Sequence, residues 1–145
     1  NMPPIPIRME SEGIIKIISI LNALIQAFGN PSICLAVDEL DAGIFEYMLG
    51  ELLDIFNKSA KGQLIFTSHN LRALEMLDKN NIMFSTVNPK RRYIRMKNVK
   101  ASNNLRDTYI RGITLGGQDE IIYEETDSLR IARAFRKAGR TIQHE

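Results

Sequence analysis

Apolar residues recur along the first part of the chain with the period of a helix and then run unbroken. Ile14, Ile17, Ile18, Leu21, Leu24, Ile25 and Phe28 follow the i, i+3, i+4, i+7 spacing that gathers side chains on one side of a helix. Ser11 is suited to cap that helix, its hydroxyl facing the orphan amides of the first turn, and Gly29-Asn30-Pro31 stops it. Residues 33–38, Ile-Cys-Leu-Ala-Val-Asp, then read as a strand buried on both faces, as in a parallel sheet. Asp41-Ala42-Gly43 makes a tight connection into a second amphipathic helix with Phe45, Met48, Leu49, Leu52 and Phe56 on one side. After a polar turn over 58–62, residues 63–67 read as the next strand and a helix follows from Asn70 to about Asp78.

Beyond residue 80 the elements shorten. Residues 82–87 and 92–96 are strands joined by Asn88-Pro89-Lys90, a turn signal that predicts a hairpin. Residues 105–111 read as a short helix ended by Gly112, Gly116-Gly117 marks a loop, and 128–138 form a last helix with Leu129, Ala132 and Phe135 between its arginines. Helices alternating with strands predict an α/β fold: a mostly parallel sheet flanked by helices, with an antiparallel hairpin at one edge. No repeat, low-complexity tract or dividing linker interrupts residues 1–145, so they read as one domain.

Composition changes this picture little. The 145 residues, 44% hydrophobic and 25% charged, suit a soluble globular protein. No unbroken apolar run approaches the ~20 residues that span a bilayer, and no signal-peptide layout precedes the first helix, so the expectation is a cytoplasmic protein without membrane contact. The single cysteine, Cys34, fits a reducing compartment and is expected as a small buried hydrophobe of its strand. The start, Asn1-Met2-Pro3-Pro4, lacks an initiator Met and fits a piece of a longer chain.

Charge adds an asymmetry. Residues 1–89 hold six Lys/Arg and ten Asp/Glu, net −4, whereas residues 90–145 hold thirteen and seven, net +6. The basic extension over 90–145 includes Lys90, Arg91, Arg92, Arg95, Lys97 and Lys100, then Arg130, Arg133, Arg136, Lys137 and Arg140. Such a surface suits nucleic acid or another acidic partner, or is simply a solvated face, since few aromatics are interleaved for base stacking.

The chemistry concentrates at strand ends. Asp38-Glu39 follows an apolar strand, which delivers two carboxylates to the carboxyl edge of a sheet, where α/β proteins bind ligands. One carboxylate can hold a hard cation while its neighbour activates water. Thr67-Ser68-His69 closes the second strand in the same way. Each motif also has a plain structural meaning: acidic residues suit a strand-to-helix turn, Asp41 and Ser11 suit helix caps, and His69 suits a turn. Their order carries more, with Ser11 and Asp38 27 residues apart and Glu39 and His69 30 apart.

In that order the chain resembles the C-terminal half of an ABC-type ATPase domain, within the P-loop NTPase superfamily, and most of all the OLD-like and AAA15-type group. Glu10-Ser11-Glu12-Gly13 resembles its degenerate signature motif, Asp38-Glu39 its Walker B, Asp41-Ala42-Gly43 its D-loop and Thr67-Ser68-His69 its switch histidine. Leu105 to Gly112 is similar to the segment after the core in that group, and the likeness covers about residues 8–115. The resemblance implies ATP and Mg²⁺ as ligands and a homodimer formed through the nucleotide sites. It further implies that Asp38 holds Mg²⁺ through a water, that Glu39 is the general base, and that His69 contacts the γ-phosphate. Ser11 and Gly13 would grip the γ-phosphate of ATP held by a second subunit, with Asp41 in the loop between the sites. Phage defence, toxin–antitoxin function and DNA repair are the processes the group serves.

Two departures qualify the resemblance. The sequence contains no G-x-x-x-x-G-K-[ST], so these residues alone are expected neither to bind ATP tightly nor to hydrolyse it. Phe45 also stands where the D-loop usually closes with Asp or His. A non-catalytic module for assembly or nucleic-acid binding is the alternative. A metal-dependent nuclease using Asp38-Glu39 would need further acids, for which Asp119-Glu120 and Glu124-Glu125 are the candidates.

Overall fold

The computed structural model describes residues 6–97, 104–115, 117–124 and 126–142, with side chains to residue 139. Lys100, Gly116, Glu125, the Arg140 side chain and the prolines at 3 and 4 lie outside the described residues. The first long helix, α1 (Glu12–Gly29), begins as its cap predicts: the Ser11 side chain accepts from the Ile14 amide at 3.3 Å. Strand β1 (Cys34–Val37) follows, then helix α2 (Glu46–Ser59) and strand β2 (Gln63–Phe66). β1 and β2 pair in parallel with Cys34 opposite Gln63 and Val37 opposite Phe66.

Helix α3 (Ala73–Met76) is shorter than the predicted helix over 70–78. Asn70 explains the late start, because its side chain accepts from the Arg72 amide at 2.8 Å and holds the chain in a turn. Strands β3 (Phe84–Ser85) and β4 (Tyr93–Ile94) form the expected hairpin, but as a sheet of their own. They do not extend the β1–β2 sheet, and the Val87 amide leaves the ladder for the Ile121 carbonyl at 3.2 Å. Helix α4 (Leu105–Leu115) continues through Gly112, and α5 (Ser128–Ile142) runs to residue 142. A glycine inside a helix costs only about 1 kcal/mol. The described fold is thus mixed α/β, with two small sheets in place of one larger parallel sheet.

Two apolar clusters meet at α3. The first gathers Leu40, Ile44, Leu49, Leu53 and Ala73, with Ile17, Val37, Leu64 and Phe66 packed on it. The second gathers Leu74, Phe84, Ile94 and Leu105, with the Phe84 and Tyr109 rings stacked 5.2 Å apart. Adjacent residues of α3, Ala73 and Leu74, serve one cluster each.

The β1–β2 sheet is covered on one face only. Leu35, Val37, Leu64 and Phe66 are half-buried, whereas Cys34, Ala36, Gln63 and Ile65 are exposed. The expectation of a doubly buried strand therefore fails, and with it the buried Cys34, which is exposed. With two strands and helices on a single side, alternate residues have nothing to pack against. Helix α1 shows a similar split. Leu24 and Ala27 are buried, while Ile14, Ile18, Leu21, Ile25 and Phe28 form an exposed stripe. By length and composition alone α1 is long and apolar enough to cross a membrane, although Lys16 and the polar residues between its isoleucines break any continuous apolar run.

Candidate functional site

Parallel pairing puts the residues that follow β1 and β2 side by side. The ladder runs past the strand ends, with the Thr67 amide donating to the Val37 carbonyl at 3.1 Å and the Leu40 amide to the Thr67 carbonyl at 2.9 Å. Thr67 is thereby opposite Asp38, and its hydroxyl does two jobs. It donates to Asp38 Oδ1 at 2.5 Å and accepts from the Glu39 amide at 2.7 Å. One oxygen of Asp38 is held while the carboxylate remains exposed.

Glu39 has φ +48°, the single positive φ at a non-glycine among the described residues. An L-residue in this left-handed conformation costs about 1–2 kcal/mol, and such residues cluster at functional sites. Here it is held by the hydrogen bond at its amide and by two donors to its carbonyl, the Ala42 amide at 2.9 Å and Lys16 Nζ. The chain reverses and the Glu39 carboxylate turns to His69, with Nε2 and Oε1 3.9 Å apart. Both side chains are open to solvent, His69 at 87% and Glu39 at 60% exposure. Asp41 fixes the other strand end by accepting from the His69 amide at 3.3 and 3.2 Å.

Asp38, Glu39, Asp41 and His69 are therefore brought together at one sheet edge. Ser11 and Gly13 lie at the N-terminus of α1, which meets the same loop through backbone. A Cβ on Gly13 would come within 1.8 Å of the Gly43 carbonyl oxygen, so glycine is required there for close approach. Gly13 is buried by this contact, and Gly43 itself takes φ +73°. Packing alone thus accounts for Gly13, and capping accounts for Ser11.

Two contributors escape a reading by motif. Thr67 follows the second strand two residues before His69, but its role as the bridge to Asp38 follows only from register. Lys16 gives no signal beyond being a cation within an apolar helix, yet it reaches the Glu39 carbonyl.

No group of three or more His, Cys, Asp or Glu that could hold a metal occurs among the described residues. The carboxylates at this edge do not converge into a protein-made cage, and a single carboxylate with a free oxygen suits Mg²⁺, which keeps most of its waters and takes its remaining ligands from phosphates.

Two of the acids proposed for a nuclease, Asp119 and Glu120, are committed to other partners. Asp119 pairs with Lys97 at 2.6 Å, and Arg91 pairs with Glu120 at 3.1 Å and Asp119 at 3.8 Å. Asn88 also donates to Glu120 at 2.8 Å. The hydrogen bond from Lys97 holds the Asp119 carboxyl below its ordinary range. The same contacts neutralise Arg91 and Lys97, so the basic surface is smaller than the charge count suggests. Away from the edge, Glu75 accepts from Arg106 at 2.7 Å and Arg72 at 2.6 Å, and those bonds, Arg106 first, hold its carboxyl low.

No family profile, curated protein or solved structure matches this chain.

Proposed function

We propose that this chain supplies the carboxylate and histidine side of an ABC-type ATPase site, whose P-loop comes from outside residues 1–145. The carrying observation is the edge itself: Glu39, in a left-handed conformation, faces His69 at 3.9 Å while Thr67 pins the neighbouring Asp38. Glu39 takes a proton from the attacking water through its exposed carboxylate, and His69 orients that water against the γ-phosphate. Asp38, with one oxygen still free, would hold Mg²⁺, which when bound would supply positive charge against the phosphate oxygens. Thr67 and Asp41 keep the two strand ends in register. Ser11, exposed at the helix N-terminus beside this loop, faces the γ-phosphate of a second subunit, while Gly13 lets the helix approach the loop closely. ATP hydrolysis therefore depends on a homodimer closed across the nucleotides, in a cytoplasmic process of the phage-defence, toxin–antitoxin or DNA-repair kind.

Glu39→Gln in the P-loop-bearing protein tests this reading. We expect turnover to fall by about 10²–10⁴-fold and an ATP-bound dimer to accumulate in size-exclusion chromatography. Turnover at the wild-type rate would remove Glu39 as the base.

A second reading, an assembly or nucleic-acid-binding module without catalysis, draws on the uncovered face of β1–β2 and the exposed stripe of α1. Association that persists without nucleotide, with no ATP turnover by any complex, favours it.

A further inference from the structure

Helix α5 is largely open to solvent over its described side chains. From Leu129 to Gly139 only Ala132 is partly shielded from solvent, and Phe135 is 74% and Ile131 43% exposed. Asp127 starts the helix, accepting from the Arg130 amide at 3.0 Å. Ile131, Ala134, Phe135 and Ala138 follow the i, i+3, i+4, i+7 template of one helix side. Arg133, Arg136 and Lys137 repeat the start of that template two residues later, which at 3.6 residues per turn is about 200° around the axis. Leu129 is the apolar residue that falls on the basic side, and no Asp or Glu occurs between Ser128 and Ile142. A 15-residue helix is marginal in water without a surface against its apolar side.

We propose that α5 lies in the interface of an anionic lipid bilayer, with Ile131, Phe135 and Ala138 at the acyl boundary and Arg130, Arg133 and Arg136 among the headgroups. The pattern selects this occupant because a bilayer uses both sides of the helix. Nucleic acid would engage the arginines and leave Phe135 in water. A second copy or an apolar protein groove would cover Phe135 and leave the arginines without counter-charge. The proposal reverses the expectation of no membrane contact and does not depend on the ATPase reading.

Flotation of the full chain with phosphatidylcholine vesicles, with and without phosphatidylserine, tests it. We expect binding only where phosphatidylserine is present, and weakening as salt rises. Phe135→Glu and the double variant Arg133→Glu/Arg136→Glu should each bind at least about tenfold more weakly. Because Phe135 is exposed, Phe135→Glu should leave the unfolding midpoint unchanged, which separates lost binding from lost folding. Failure to float with phosphatidylserine vesicles overturns the proposal. So does binding that Phe135→Glu leaves intact, which marks a purely electrostatic polyanion site of the kind DNA or RNA would occupy. A vesicle-free dimer abolished by Phe135→Glu overturns it as well, in favour of a second copy.

Discussion

The two apolar clusters hold the molecule together by different means. In the first, Leu40, Leu49 and Leu53 are at most 1% exposed, and close packing dominates its stability. In the second no member is less than 7% exposed, and ion pairs surround it: Arg106 with Glu75, Lys97 with Asp119, Arg91 with Glu120. The acidic sheet edge rests on the first cluster, and β4 and α4 of the basic extension belong to the second. A site that must hold several polar groups in fixed register is thus built on the drier, tighter half.

The largest expected effect tests that difference in packing. Leu49→Ala should destabilise by about 2–5 kcal/mol, because a fully enclosed leucine leaves both a transfer loss and a cavity. Leu105→Ala, at the rim of the second cluster and 7% exposed, should cost less. Urea denaturation of the two variants decides it, and equal losses would erase the distinction.

Next in size is the ionic half. Glu75→Gln removes the acceptor shared by Arg72 and Arg106, at a cost of about 1–3 kcal/mol. The Arg72 Nε atom is already buried without a partner, so losing Glu75 leaves that guanidinium still less satisfied. Hydrogen exchange should quicken in α4, which Arg106 ties to α3, and not in α1. Acid should act on the same region. Glu75 and Asp119 are both held below their ordinary values of 4.5 and 3.8. Their stabilising contribution is therefore complete above those values and is lost as pH falls through the lower folded ones. An acid titration followed at α4 should lose this component in the wild type and lose less of it in Glu75→Gln.

The sequence made the first half readable because its signals are local. The Ser11 cap, the stop at Gly29-Asn30-Pro31 and the strands at Cys34 and Gln63 all rest on period and punctuation, and they appear within a residue or two of their expected places. Asp38, Glu39 and His69 were legible as strand-end groups for the same reason. What was not legible depends on partners distant in sequence. Exposure of Cys34 depends on what covers a sheet face, which a strand's own residues do not state. The bridge by Thr67 depends on register, and the commitment of Asp119 and Glu120 depends on Arg91 and Lys97 arriving from the hairpin. Glu39 is the sharpest case, because its left-handed backbone breaks a local preference that sequence reasoning takes for granted.

That broken preference supplies the smallest and most discriminating prediction. If Glu39 were there for stability, replacing it would cost something. Glycine adopts φ +48° without the Cβ clash, a relief of about 1–2 kcal/mol offset by about 0.5–1 kcal/mol of extra unfolded-state entropy. The contact with His69 offsets little, because both side chains are exposed and 3.9 Å apart. Glu39→Gly should therefore gain about 0.5–1 kcal/mol in chemical denaturation while abolishing ATP turnover in the P-loop-bearing protein. A stability gain joined to a loss of activity identifies a residue kept for its carboxylate at the expense of its backbone. A stability loss would instead make the Glu39 turn a scaffold, and the tight first cluster would then be supporting structure and no chemistry.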